Sequence, residues 1–291
     1  MKQLPTPLSI VRMENAPIII TKHTPAFWRI TLDNPPLNLL DPEMIDGMSR
    51  LMDELDADKE VKVIVFDSSD KNYFIAHYDV MRGSEVPKVS GKYGVNQWTD
   101  ISNRLHNSPV VSIASVRGRA RGNGSEFLLA CDMRFASKEK AFFGQIEVGC
   151  GVIAGGGALE YLPSLVGRSR ALEIVIGGDD FDADTAALYG WINRALPDDQ
   201  LDDFVNGLAI RIASYEAGAI ATTKAIVNRR SGGGPNPHEI DESLSHYTEL
   251  SQNPNVQILW SKLGEMGFQQ PGDLELNFGY YLGKLAEDKL K

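Results

Sequence analysis

The chain has 291 residues, long enough to bury a large core as one elaborated domain or two smaller ones. Hydrophobic residues make up 43% and charged residues 23%, the balance of a soluble globular enzyme. The net charge of −10 lacks the basic field of a nucleic-acid binder, so no nucleic-acid partner is expected and any polyanionic ligand must be gripped by local donors.

The first seventeen residues carry three prolines and Glu14 where a secretory leader needs an unbroken apolar stretch. No apolar run approaches the ~18–20 residues of a membrane span. Cys131 and Cys150 sit among apolar or glycine neighbours and read as buried thiols in a reducing compartment. The expectation is a cytoplasmic protein with no membrane partner.

In chain order, residues 27–34 alternate and read as a strand, ended by an Asn-Pro-Pro turn. Asp41 caps a helix with Pro42 at its first position, and Met44, Ile45, Met48, Leu51, Met52 and Leu55 form one apolar stripe. Residues 61–68 and 110–116 are near-continuous apolar runs, suited to a sheet covered on both faces, with a short helix near 101–106. Short strands follow at 133–137 and 141–145. Beyond Gly155–Gly157 the pattern turns helical over 168–177, 183–189, 199–215, 218–230 and 238–264. The reading is an α/β core over residues 1–200 and a helical region over 201–291, with a glycine-rich linker at 229–237.

Familiar site chemistries are missing. No Walker sequence, dinucleotide fingerprint or G-x-S-x-G elbow occurs, and Ser125 has no base paired with it in sequence. The five histidines show no metal-ligand spacing and no cysteine pair suggests zinc, so no metal is expected. Two acids remain. Glu126 lies behind a glycine-bracketed turn holding Asn123, at the mouth of an apolar run. Glu147 sits between a short strand and a run of small residues. Either alone reads as a cap or a solvated residue; as a pair beside glycine turns they suit opposed acid and base roles.

Five stretches carry a resemblance. They are PPLNLLDPEMIDGM (35–48), FIAHYDV (74–80), GRARGNGSEFLLACDMRFAS (118–137), FGQIEVGCGVIAGGGALEYLPSLVG (143–167) and GDDFDADTAALYGWINRALP (178–197). In this order and spacing they resemble the crotonase superfamily, the enoyl-CoA hydratase/isomerase fold, from about Phe27 to Arg230. The resemblance implies an α/β fold with a ββα spiral core and a helical C-terminal trimerisation region. It implies an acyl-CoA thioester substrate, with coenzyme A as part of that substrate and no separate cofactor. By position, the main-chain N–H groups of Tyr78 and Asn123 would form an oxyanion hole, and Glu126 and Glu147 would be the acid and base. Pro36, Leu37 and the backbone near Ala76 would receive coenzyme A. The reaction implied is hydration of a trans-2-enoyl-CoA by a homotrimer or a dimer of trimers. The alternatives are double-bond isomerisation, carbon–carbon hydrolysis of a β-diketone using His77, or a non-catalytic binding protein, RNA-binding members included.

Three positions depart from the family pattern. His77 and Asn123 replace glycines, and Ala154 replaces proline. His and Asn tolerate positive φ better than most residues, so both turns are expected to keep the family's shape. His77 is read either as an auxiliary proton donor or as a side chain pointing outward. Trp98 and Tyr93, within the variable stretch 82–98, either line the acyl pocket or simply pack. The tail from Gly267 onward has no counterpart in the pattern, and its cluster Phe278–Tyr281 is expected to pack on the core or on a neighbour.

Overall fold

The computed structural model describes residues 4, 6–86 and 90–289, so Pro87–Val89 of the variable stretch lie outside the described residues. In chain order come β1 (Ser9–Arg12), β2 (Ile18–Thr24), β3 (Phe27–Leu32), α1 (Pro42–Ala57), β4 (Val63–Ser68), β5 (Tyr73–Ile75) and α2 (Gln97–Asn107). Next are β6 (Val111–Val116), β7 (Arg119–Arg121), α3 (Asn123–Ala130), β8 (Met133–Ser137), β9 (Phe142–Gly144), α4 (Ala158–Val166) and α5 (Arg168–Gly177). Then follow β10 (Phe181–Asp182), α6 (Ala183–Tyr189), β11 (Arg194–Leu196) and α7 (Asp198–Ala213). The chain ends with α8 (Ala217–Arg230), α9 (Pro237–Ser251), α10 (Pro254–Glu265), α11 (Asp273–Leu276) and α12 (Phe278–Lys289).

Each β-β-α unit splits its strands between two sheets. The larger sheet runs β1-β2-β3-β4-β6-β8-β11 and is parallel from β3 onward; the smaller runs β10-β9-β7-β5. Thus β4, β6 and β8 build the large sheet while β5, β7 and β9 build the small one, which is the spiral expected from sequence. The continuous apolar runs have a physical cause. Val63 and Val65 face α7, packing with Leu201 and Val205, while Ile64 and Phe66 face the main core with the α1 stripe. Both faces are dry, so alternation disappears.

The α1 cap is as expected: Asp41 accepts the Met44 N–H at 2.8 Å, and the six predicted apolar positions are buried. Other elements differ from the sequence reading. β1 and β2 precede the first predicted strand, and the helix near 101–106 begins earlier, at Gln97. The predicted helix over 238–264 is two, because Asn253-Pro254 ends α9 and caps α10. α4 lay hidden behind its glycines. The tail packs on its own chain: Phe268, Leu274, Phe278, Leu282 and Leu285 bury against Ile146, Cys150 and Val152. Both cysteines are free and buried, and no described helix is long and apolar enough to cross a membrane.

Candidate active site

The first turn leaves β5 through Ala76, His77 and Tyr78. Leu40 N–H donates to His77 O at 2.9 Å, and Asp79 N–H donates to Leu40 O at 3.0 Å. These two bonds bracket Tyr78. In a trans peptide the C=O and N–H point opposite ways, so the Tyr78 N–H faces away from Leu40. It donates no hydrogen bond among the described residues.

The second turn leaves β7 at Gly122. Gly122 has φ 50° and ψ −124°, a conformation open to glycine alone. Its carbonyl accepts Glu126 N–H at 2.9 Å, so the Asn123 N–H points out of the N-terminus of α3, also unpaired among the described residues. The next glycine serves close approach: a Cβ on Gly124 would lie 2.2 Å from Ile75 O. Both expected donors are therefore free. The expected reason is corrected, however. Neither His77 nor Asn123 has positive φ; the left-handed step falls on Gly122, and Asn123 is an ordinary first helical residue.

Both free N–H groups belong to residues lining one cavity of about 450 Å³, together with Glu147, Trp98, Leu244 and Tyr247. Glu126, one helical turn beyond Asn123, is fully buried behind it. Its Oε1 accepts Gly156 N–H at 2.9 Å and Ala158 N–H at 3.1 Å, at the N-terminus of α4. Its Oε2 has no partner among the described residues. Burial raises the Glu126 pKa; the two N–H donors oppose this and the charge of Glu160 adds to it. Glu147 projects from the turn after β9, whose carbonyl takes the N–H groups of Cys150 and Val152, both at 3.0 Å. Its pKa is raised by burial and then by the charge of Glu126, and no cation opposes the shift. The two carboxyls titrate as a pair, so at neutral pH they resist losing both protons.

Glycines shape the space between them. A Cβ on Gly122 would lie 2.8 Å from Glu147 Oε1. One on Gly156 would lie 2.3 Å from Glu126 Oε2, 2.5 Å from Asn123 Nδ2 and 2.8 Å from Trp98 Nε1.

His77 departs from both expectations. Its ring is buried and stacks on Phe268 at 4.7 Å. Nδ1 donates to Tyr78 O at 2.9 Å, since a carbonyl only accepts, and Nε2 meets both Glu275 oxygens at 3.1 Å. Neither nitrogen is left for a substrate, and the side chain does not point outward. Leu37 and Ala76 are buried side by side under Leu39 and Leu276, while Pro36 is exposed. Trp98 lines the cavity; Tyr93 does not. Helices of the C-terminal region, for which an active-site cover was expected, bring Leu244, Tyr247 and Trp260 to the cavity; the expectation missed these three residues. Their apolar spacing showed helices, but nothing local showed which face they cover. Tyr93 lines a separate groove of about 590 Å³ that includes neither site acid and neither free N–H, and where Lys92 and Arg104 pair with Asp56.

Comparison with known proteins agrees with this geometry. Residues 23–265 match the family model for enoyl-CoA hydratase/isomerase. The chain is 30% identical over 202 residues to the short-chain-enoyl-CoA hydratase of Clostridium acetobutylicum, covering 69% of this chain and 77% of that protein. It is 34% identical over 203 residues to a probable enoyl-CoA hydratase of Rhizobium meliloti, covering 69% and 77% respectively. A crystal structure from Streptomyces avermitilis, provisionally described as an enoyl-CoA hydratase, superposes with TM-score 0.87 at 39% identity, covering 94% of this chain and 98% of that one. An enoyl-CoA hydratase structure from Mycobacterium avium subsp. paratuberculosis shares the fold at TM-score 0.76 and 24% identity, over 86% of this chain and 100% of that one. The chain belongs to the enoyl-CoA hydratase/isomerase family of the crotonase superfamily and is a hydratase-like enzyme.

Proposed function

We propose that the chain adds water across the double bond of a trans-2-enoyl-CoA thioester, giving a 3-hydroxyacyl-CoA. One observation carries this reading: two unpaired main-chain N–H groups, Tyr78 and Asn123, border a cavity lined by the half-buried Glu147, with Glu126 fully buried one helical turn behind Asn123, and both carboxyls have raised pKa values. The thioester oxygen lies between the two N–H groups. As water attacks C3, negative charge moves onto that oxygen and the donors stabilise the enolate, each typically worth about 2.7–4 kcal/mol in the transition state.

The environments of the two acids separate their roles. Glu126 has two main-chain N–H donors on Oε1 and a free Oε2, an arrangement that favours its anion; it takes the proton of the attacking water. Glu147 has no cation beside it and feels the Glu126 charge; it keeps its proton and delivers it to C2. In dehydration the roles reverse. The Pro36–Leu37 stretch and the backbone near Ala76 lie ahead of the first oxyanion turn and receive the coenzyme A portion. α8 is anchored by Lys224, whose ammonium donates to Val110 O and Asp132, and exposes Ile226 and Val227, a surface suited to assembly as a trimer or a pair of trimers. Two free buried thiols suit a reducing, cytoplasmic setting.

The test is steady-state hydration of crotonyl-CoA by E126Q and E147Q. Each substitution removes one proton-transfer group, and turnover is expected to fall at least about 10²-fold with binding of a saturated acyl-CoA retained. Near-normal hydration in both variants ends the proposal. Product analysis with 3-enoyl-CoA and β-diketone substrates separates isomerisation and carbon–carbon hydrolysis. The latter loses support because both His77 nitrogens are committed.

A further inference from the structure

The tail that the family pattern does not account for makes its most buried polar contacts at the two oxyanion turns. Glu275, at the heart of α11, is fully buried and meets His77 Nε2 at 3.1 Å. Gln269 N–H donates to Glu275 Oε1 at 2.7 Å, and the Gln269 side chain donates to Asp79 Oδ1 at 2.7 Å and accepts Met81 N–H at 3.2 Å. Residues 77, 79 and 81 are thus all held by two tail residues. The second turn is tethered as well. Arg121, the last residue of β7 before Gly122, donates to Glu275 O at 2.6 Å and bridges to Asp180. Arg119 on the same strand donates to Leu276 O at 3.0 Å.

A buried carboxylate is costly unless paired, and Glu275 has His77 Nε2 against both of its oxygens at 3.1 Å. Burial alone would raise its pKa, but the His77 charge and hydrogen bond, the Gln269 N–H and Arg121 outweigh that and hold it below the ordinary value. Nε2 faces the two Glu275 oxygens at 3.1 Å, and Nδ1 donates to the Tyr78 carbonyl at 2.9 Å. The ring has one orientation that satisfies both ends, and stacking on Phe268, which itself stacks on Phe278, closes it in. Fixing the Tyr78 carbonyl fixes the chain one peptide beyond the donor N–H.

We propose that His77 is a positioning residue for the oxyanion hole, set by Glu275, so that the C-terminal tail aims the Tyr78 N–H at the thioester oxygen. This rests on the hydratase reading. Losing a donor outright typically costs about 10²–10³ in turnover; a donor left in place but poorly aimed costs less. E275Q keeps the side chain's shape and removes its charge.

The experiment compares full-length wild type, E275Q, H77Q and the double variant, each assayed at a temperature well below its own melting point. Two quantities are read: kcat and KM for crotonyl-CoA, and the absorption band of a bound cinnamoyl-type CoA thioester, which moves to longer wavelength as its carbonyl is polarised. The expected result is a fall in kcat of about tenfold in E275Q with KM within threefold, and a smaller band shift. The double variant should be no worse than the worse single variant, because both break one linkage. The double variant also serves where a single change leaves a buried charge that hampers folding. If wild type hydrates the ester and shifts the band while E275Q and H77Q match it within twofold in both readouts, this inference is overturned alone. If melting points fall but the band shift stays, His77 is structural and the inference is likewise overturned. A wild type that neither hydrates the ester nor shifts the band overturns the hydratase reading and this one with it.

Discussion

The turn at Gly122 takes its shape from a glycine-only dihedral within the turn and meets the tail only through Arg121 and Arg119 on the strand before it, whereas the turn at His77 has no such dihedral and is held by its own side chain on Glu275, 198 residues away. In the first, a glycine-only dihedral, a glycine packed on Ile75 and the start of α3 together aim the Asn123 N–H. In the second, backbone bonds to Leu40 set the path and the tail completes it. The two N–H groups proposed as oxyanion donors thus depend on different kinds of information. Damage to the first should be local and severe; damage to the second should pass through the tail and be graded.

Gly122→Ala gives the sharpest break. It forces a side-chain-bearing residue into φ 50° and ψ −124°, a strain of about 1–3 kcal/mol. The new Cβ would also sit 2.8 Å from Glu147 Oε1. The carboxylate can swing aside, but its position is what the proton transfer needs. Hydration is expected to fall more than about 10²-fold, because one donor and one acid are disturbed together. Steady-state rates beside a melting curve check this; a variant that keeps a tenth of wild-type activity would place the Asn123 N–H outside the oxyanion hole.

The same division explains what was legible in the sequence. The α/β core could be read because its signals are local: the Asp41-Pro42 cap, the α1 stripe and apolar runs long enough for strands buried on both faces; its spiral arrangement came from the family resemblance. Glu126 and Glu147 could be singled out as candidates because each sits beside glycines at family spacing. His77 could not be read. Its partner lies in a segment without a family counterpart, and an isolated His carries no mark of a carboxylate far along the chain. The positive φ expected at His77 and Asn123 was misplaced for a related reason. A glycine pattern shows that a special dihedral is needed, but not which residue takes it; Gly122 does. The placement of Leu244, Tyr247 and Trp260 over the cavity also rests on contacts between distant elements.

Gly156→Ala tests the local arrangement with little backbone strain, since Gly156 is not among the glycines with positive φ. Its Cβ would meet Glu126 Oε2, Asn123 Nδ2 and Trp98 Nε1 at 2.3–2.8 Å, so side-chain ends rather than backbone must yield. The Gly156 N–H remains to hold Oε1. Turnover is expected to drop about 10–100-fold, between the Gly122→Ala loss and the tenfold fall expected from E275Q. Should turnover be unchanged, Glu126 Oε2 would not be the atom that takes the proton.

The smallest effects expected are on stability, and they oppose the two regions. Glu275 has a lowered pKa in the folded chain. Its contribution is present above the ordinary carboxyl range and is lost as pH falls through its folded value. Glu147 has a raised pKa, so the folded state is penalised as pH rises above the ordinary carboxyl value and the group is pressed to ionise in a buried site. E275Q should therefore be less stable than wild type near neutral pH, with the gap closing in acid. E147Q should match wild type in acid and gain on it as pH rises, by on the order of 1–3 kcal/mol. Urea midpoints for both variants between pH 4 and pH 8 measure the two trends. Parallel curves would mean that the site acids and the tail acid share one electrostatic environment. Crossing curves would show that the tail carboxylate is held as a structural anion while the site carboxyls are kept ready to carry a proton.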